Sequence, residues 1–549
     1  MKAVLFAYSL TFVSMNIAVY RGRGRLFRYL ESLWYSLLLF ICVGIFVAIL
    51  GEILGLILGI AGLKVSGVFL YILFVILLAL VGYSLGEGMA DDDNNPRRSN
   101  HRHERGTVVS AVKALRRPWW PRGTRADTQQ KPDFVGSITL AGLPLRGADE
   151  TKHFKFIGTT GTGKSTAIRE MLSAALARGD RAVIADPDGG YLSHFYNAER
   201  GDVILNPFDP DSVKWNLLGE IKNDYDVEQL ARSLIPDSGG ADRTWSGYAR
   251  TFFTAVVQRV IKGGITDDRE ICRLVVEGTL PKLKLLLAGT AAGPFMEEGS
   301  DRMFGSLRSV ASSALDGLKY TVEQQGMPFS VRGWVRQGAA VKNGGRGGVL
   351  FMPYKAGEIA ALRSSISAWM RIAIFEAMNQ GEGDQRLWFI VDELDALGEI
   401  DGLKDALARL RKFGGRCVLG FQSISQVSST YGKGVADTIV ENCGTTLILR
   451  CSASEHGGTS QFASRLIGQR EVVHLSQSKT RHPGQWFSSR TTSEQRSIEP
   501  AIMASEIERL ADLDGFLKFA SIPNWLCVSL THVEYPTIDR PKRAGSAAL

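Results

Sequence analysis

The chain has 549 residues, 22% of them charged, with a formal net charge of +8 and a pI of about 9.1. That length exceeds one ordinary domain, and the mild basic excess fits nucleic acid, anionic lipid or a membrane protein with cytoplasmic Lys and Arg without selecting among them. The six cysteines (Cys42, Cys272, Cys417, Cys443, Cys451, Cys527) form no CxxC pair, which argues against a zinc or disulfide framework and for reduced, structural thiols.

Residues 3–19 are moderately apolar and are followed by Arg21, Arg23, Arg25 and Arg28. A signal peptide would carry its charges before the apolar run, and a span here would place the arginines outside, against the positive-inside rule. Two strongly apolar runs follow, and the pattern predicts an N-terminal membrane anchor over 1–87 with two transmembrane helices at about 34–60 and 66–86. Arginines before the first span, and Arg97, Arg98, Arg102 and Arg105 after the second, put both ends in the cytoplasm. Residues 88–105 read as a polar linker, and 106 opens the globular part with a short entry element. The stretch Ser137 to Leu145 alternates like an edge hairpin.

Next, His153-Phe-Lys-Phe-Ile reads as a strand running into Gly158, Thr159, Thr160, Gly161, Thr162, Gly163, Lys164 and Ser165, with Thr166 opening a helix. G-x-x-x-x-G-K-S between strand and helix is a phosphate-binding P-loop. Its glycines let backbone N–H groups wrap a phosphate, Lys164 reaches the β- and γ-phosphates, and the Ser165 hydroxyl ligates Mg2+. ATP and Mg2+ are therefore the expected ligands. A second buried-type strand ends in Asp186-Pro-Asp188-Gly-Gly, completing a βαβ unit. Asp186 and Asp188 either cap the next turn or, the favoured reading, lie near the magnesium shell.

From 216 to 338 strand signals vanish, and amphipathic helices are expected at Val227–Leu234, Tyr248–Lys262, Asp268–Glu277, Lys282–Ala288 and Ser306–Gln324. The division is thus 106–215 as the first part of a nucleotide-binding domain, 216–338 as an all-α insert, and 339–549 as the second part. The insert's basic residues read equally as a DNA-facing surface or as solvated helix faces. The sheet resumes at Gly348. Arg386-Leu-Trp-Phe-Ile-Val is a strand ending in Asp392-Glu393, the form of a Walker B segment: Asp392 would hold the metal and Glu393 would polarise the attacking water. A helix over Leu403–Lys412 carries Arg411, a candidate finger from a neighbouring subunit. A further strand ends in Gln422, placed to sense the γ-phosphate or orient water. Residues 477–496 form a polar excursion read as a surface hairpin or loop.

Taken together, these residues resemble the coupling proteins of type IV secretion and conjugation systems, the TraD/TrwB group. The likeness covers most of 106–540. It rests on the P-loop, Asp186-Pro-Asp-Gly-Gly, the helical insert, Phe389-Ile-Val-Asp-Glu-Leu-Asp-Ala-Leu-Gly, Gly420-Phe-Gln-Ser-Ile-Ser-Gln, Tyr431-Gly and Asn442-Cys-Gly-Thr. The resemblance implies a RecA-like α/β motor ATPase with an inserted all-α domain, held in the bacterial inner membrane with its main domain cytoplasmic. It further implies a homo-hexameric ring that receives a relaxase bound to single-stranded DNA and passes it to the secretion channel. By position, Arg411 matches the family's arginine finger and Gln422 its phosphate sensor. No long acidic tail for docking a relaxosome protein is expected at the C-terminus. The alternatives are an FtsK-like DNA translocase and a nucleotide-switched receptor for secreted protein effectors.

Overall fold

The computed structural model describes residues 101–111, 137–236, 243–340, 348–383, 385–454, 458–480 and 489–540, with eight single positions between 13 and 81. Apart from those single positions, the two expected membrane spans and the linker up to residue 100 lie outside the described residues. Among the described residues no helix is long and apolar enough to cross a membrane.

In chain order the strands are β1 (His101–Gly106), β2 (Val109–Ala111), β3 (Thr139–Leu140), β4 (Leu143–Pro144), β5 (Phe154–Ile157), β6 (Arg181–Pro187), β7 (Val203–Ile204), β8 (Lys214–Trp215), β9 (Pro328–Phe329), β10 (Val349–Tyr354), β11 (Leu387–Val391), β12 (Gly415–Phe421), β13 (Thr445–Ile448), β14 (Gln469–Thr480), β15 (Ser489–Pro500), β16 (Asp514–Lys518) and β17 (Trp525–Ser529). They divide between two compact units.

The smaller unit holds a three-stranded sheet in the order β1-β14-β15, with β1 antiparallel to β14. One expectation changes here, and another takes the first of its two alternatives, a surface hairpin rather than a loop. The end of the predicted linker is strand β1, and the polar excursion is built from two twelve-residue strands. The end of the linker reads as loop because His101–Gly106 is polar throughout and lacks the alternation that marks a half-buried strand.

The larger unit is organised by a ten-stranded sheet in the order β2-β17-β16-β13-β5-β12-β11-β6-β10-β7. From β13 to β7 every neighbour is parallel, and β16 is antiparallel to both β13 and β17. The central strands read as unbroken apolar runs because both faces are covered. On β11, Leu387, Phe389 and Val391 enter one core, while Trp388 and Ile390 enter the other. The second core packs helix α1 (Lys164–Ala177) through Ala167, Ile168, Met171 and Leu172. The expected hairpin is present as β3 and β4, a separate two-stranded sheet rather than an edge of the main one; its turn N–H groups at Ala141 and Gly142 donate to the Glu170 carboxylate at 3.0 and 2.9 Å.

After α2 (Leu192–Phe195), the helical segment carries α3 (Asp224–Leu234), α4 (Arg243–Lys262), α5 (Arg269–Val276), α6 (Leu280–Leu286), α7 (Asp301–Ala314), α8 (Leu318–Glu323) and α9 (Val331–Ala340). The single helix expected over 306–324 is two, broken before Leu318. A Cβ on Gly317 would meet the Ala361 carbonyl oxygen at 1.9 Å, so the break follows from a close approach to the next long helix, which local periodicity cannot reveal. Entry and exit of this segment are tied together. β8 pairs with β9, and the buried Glu220 carboxylate accepts Trp215 Nε1–H at 3.0 Å and the N–H groups of Val331 and Arg332 at 2.7 and 3.0 Å, capping α9. The chain then returns through β10 to α10 (Ile359–Asn379), which is buried along most of its length. Helix α11 (Leu403–Leu410) follows β11.

Candidate functional site

The P-loop leaves the sheet at the carboxyl end of β5, where an open parallel sheet places its ligands. Gly158 N–H donates to Phe421 O at 3.1 Å and Thr159 N–H to Arg450 O at 2.9 Å, so the loop is anchored to the strands on either side. Gly163 has φ 117° and precedes α1, a backbone conformation that favours glycine; a Cβ there would also lie 2.9 Å from Leu513 Cδ2. The free N–H groups of the first turn of α1 provide an anion site. Lys164 is buried, with Nζ donating to Gly158 O at 2.6 Å and Thr159 O at 3.1 Å. Burial lowers its pKa, against the opposing pull of Asp392 and Glu393.

The tip of β11 faces this loop across β12. Ser165 Oγ donates to Asp392 Oδ2 at 2.6 Å, and so does Tyr191 OH at 2.8 Å. Asp392 Oδ1 is buried with no hydrogen-bond partner among the described residues. Gln422 Nε2 donates to Glu393 Oε1, while Thr160 Oγ1 donates to Gln422 Oε1 at 3.3 Å, so the glutamine bridges the P-loop and the second carboxylate. Burial raises the Glu393 pKa, reinforced by the charges of Asp392 and Asp395, with Lys164 and Gln422 opposing. Gly420 makes this crossing possible: a Cβ there would lie 1.9 Å from Asp392 O, and Gly420 O accepts Leu394 N–H at 3.1 Å.

Lys164, Ser165, Asp392, Glu393 and Gln422 thus come together. Arg411 does not join them. It is exposed on a 3-10 turn, Arg411–Phe413, just before β12, whereas Gln422 follows the far end of that seven-residue strand. The strand alone spans roughly 20 Å. Asp186 is a correction. Its carboxylate accepts the N–H groups of Tyr191 at 2.9 Å and Leu192 at 2.7 Å, so it caps the start of α2, the less favoured of the two readings, while staying close enough to Asp392 to feel its charge. Burial pushes its pKa up to about 7 despite those hydrogen bonds. Asp188 is exposed in the turn, with φ 55°. Tyr191 is the site residue that sequence reasoning misses; the one signal is an aromatic directly after Gly189-Gly190, and its partner is 201 positions away.

A serine hydroxyl beside a carboxylate with an unsatisfied buried oxygen suits a hard, oxygen-seeking cation such as Mg2+. Among the described residues no group of three His, Cys, Asp or Glu side chains could hold a metal by itself, so phosphate and water would complete the shell. The loop between β5 and α1, facing a carboxylate pair at the tip of β11 in a largely parallel sheet, defines a P-loop nucleotide-binding fold. Within that class, residues 137–530 match the type IV secretion-system coupling protein DNA-binding domain, and the chain belongs to that family.

The coupling protein TraD of Escherichia coli K12 is 29% identical over 383 residues, covering 69% of this chain and 52% of TraD. The coupling protein VirD4 of Bartonella quintana is 23% identical over 340 residues, covering 58% of this chain and 50% of VirD4. The chain therefore spans about half the length of the curated relatives it matches. Among solved structures, the conjugative coupling protein TrwB lacking its first 70 residues superposes with a TM-score of 0.68 at 29% identity, covering 80% of this chain and 96% of that one. TrwB in complex with ADP and Mg2+ superposes with a TM-score of 0.67 at 30% identity, with the same coverage.

Proposed function

We propose that this protein is the ATPase of a type IV secretion or conjugation system, coupling ATP hydrolysis to transfer of relaxase-bound single-stranded DNA, or of protein, into the secretion channel. The observation that carries this reading is the convergence of Lys164, Ser165, Asp392, Glu393 and Gln422 on one strand-tip cleft. Family membership favours a coupling protein over an FtsK-like pump. Structures of TrwB holding ADPNP, and ADP with Mg2+, support ATP and Mg2+ as the ligands.

In this reading Thr160, Gly161, Thr162, Gly163 and Thr166 wrap the phosphates with backbone N–H groups, while Gly158 and Thr159, whose N–H groups are held by the Phe421 and Arg450 carbonyls, form the base of the loop. Lys164 exchanges its bonds to the loop carbonyls for phosphate oxygens. Ser165 and Asp392 hold Mg2+, which when bound neutralises charge across the phosphates. Glu393 orients and polarises the attacking water, and the raised pKa favours it as a proton acceptor. Gln422, touching both Thr160 and Glu393, reports loss of the terminal phosphate to the end of β12. Arg411 is too far along β12 to serve its own site, so its role as a finger requires a neighbouring subunit. A homo-hexameric ring supplies that neighbour. The apolar runs within 1–87 anchor the ring in the inner membrane, with the nucleotide-binding part in the cytoplasm.

The test is ATP binding and hydrolysis by the full chain carrying Lys164→Ala or Glu393→Gln. Lys164→Ala is expected to lose nucleotide binding, and Glu393→Gln to keep it while turnover falls by about 100-fold or more. Near-normal turnover in both would remove the site assignment.

A further inference from the structure

The hydroxyl of Tyr191 has no part in the mechanism above, yet it is placed with unusual care. The side chain is 1% exposed, and a phenol buried that deeply needs a hydrogen-bond partner. That partner is Asp392 Oδ2 at 2.8 Å. The backbone delivers the ring to this spot. β6 ends at Pro187, the chain turns through Asp188 with φ 55° and Gly189 with φ 65°, and the Asp186 carboxylate grips the N–H groups of Tyr191 and Leu192. Asp186 therefore fixes Tyr191, and Tyr191 reaches Asp392.

The consequence falls on the carboxylate. Asp392 Oδ2 accepts two hydroxyls, from Tyr191 and from Ser165 at 2.6 Å, while Oδ1 is buried and unpartnered among the described residues. Two donors on one oxygen hold the carboxylate against rotation about its terminal bond and leave the other oxygen as the free acceptor. Without the phenol, Ser165 is the one remaining hydrogen-bond donor to that oxygen among the described residues, and the carboxylate can turn.

We propose that Tyr191 is a positioning residue for the Mg2+ of a bound nucleotide, acting through Asp392, and that the Asp186-Pro-Asp-Gly-Gly-Tyr turn exists to present it. This rests on the nucleotide-site reading given above. Groups that orient a metal ligand in this way are worth about 10- to 100-fold in metal affinity. A purely structural role is the competing explanation, since the ring also packs in the core, with the Arg169 guanidinium 5.8 Å from its centroid. A phenylalanine would keep that packing and remove only the hydroxyl.

The experiment titrates Mg2+ against binding of a fluorescent, non-hydrolysable ATP analogue to the full chain. It compares the wild type with Tyr191→Phe, Asp392→Asn and the double variant. Tyr191→Phe is expected to keep the Mg2+-free nucleotide affinity of the wild type while the Mg2+ midpoint rises about 10-fold. In the Asp392→Asn background the same substitution adds nothing. Asp186→Asn, which leaves the phenol but loosens its anchor, shifts the midpoint in the same direction and serves if Tyr191→Phe fails to fold. An unchanged midpoint in Tyr191→Phe overturns the proposal, as does an equal shift with and without Asp392. A wild type whose nucleotide binding ignores Mg2+ overturns the nucleotide-site reading itself, and the proposal with it.

Discussion

His153 shows how closely single residues are determined next to the P-loop strand. It has φ 55° and is buried, with Nε2–H donating to Leu407 O at 3.0 Å and Nδ1 accepting Cys417 N–H at 3.1 Å. Both ring nitrogens are committed to the neutral form. Burial, aided by the charge of Arg411, lowers the pKa to about 4. An unfolded histidine titrates near 6.5, so on acidification the unfolded chain takes up this proton first. The contribution is intact above about pH 6.5 and is lost as pH falls towards 4, roughly 3 kcal/mol in all. His153→Asn, a residue that tolerates positive φ, removes this titration. The gap in unfolding free energy between wild type and variant is expected to narrow by that amount between pH 7 and pH 4; a constant gap would mean that His153 titrates normally. At this scale the sequence shows Lys164, Ser165, Asp392, Glu393 and Gln422 plainly, because each closes an apolar strand or opens a helix in a local pattern. Tyr191 and the capping role of Asp186 stay hidden, because both depend on where a turn carries its side chains in space.

Helix α10 connects the site to the helical segment. Along one stripe, at intervals of four residues, it holds the loop that follows Walker B: Arg363 Nε–H donates to Ala396 O at 3.0 Å, Ser367 Oγ to Leu397 O at 2.6 Å, and Arg371 Nε–H to Asp401 O at 3.1 Å. Arg371 also reaches α3, where its Nη1 donates to Gln229 O and Ser233 Oγ, both at 3.2 Å. One buried guanidinium thus joins the loop after Glu393 to the first helix of the insert. Arg371→Ala would leave several acceptors unsatisfied and cost roughly 2–3 kcal/mol. Its sharper signature concerns coupling. Hydrogen exchange of α3 should change when the wild type binds nucleotide, and that change should vanish in Arg371→Ala while nucleotide still binds. A nucleotide response in α3 that survives the substitution would place the connection elsewhere. The helices of this segment are legible from their periodicity. The clamp is not, since three polar side chains on a mostly apolar helix read as tolerated exceptions until their carbonyl partners are known.

At the scale of the molecule, the site is complete in one respect and incomplete in another. The P-loop, the carboxylate pair and the glutamine meet within one sheet, but Arg411 lies at the opposite end of β12, away from them. The buried parallel strands make the α/β architecture readable from apolar runs alone. The sheet of β1, β14 and β15 is readable only in part: 477–496 reads as a surface hairpin or loop, but β1 is short and polar and pairs with residues of β14 more than 360 positions away. A motor that moves nucleic acid by its backbone meets phosphates whatever the sequence, so its response to DNA should weaken as salt competes for those charges. The decisive measurement is ATP hydrolysis by the full chain with and without single-stranded DNA across a series of salt concentrations, with Glu393→Gln as the inactive control. Stimulation by DNA that fades as salt rises is the predicted result; turnover that depends on Glu393 yet ignores DNA at every salt concentration would contradict a DNA-coupling ATPase and leave a nucleotide-switched receptor for protein cargo in its place.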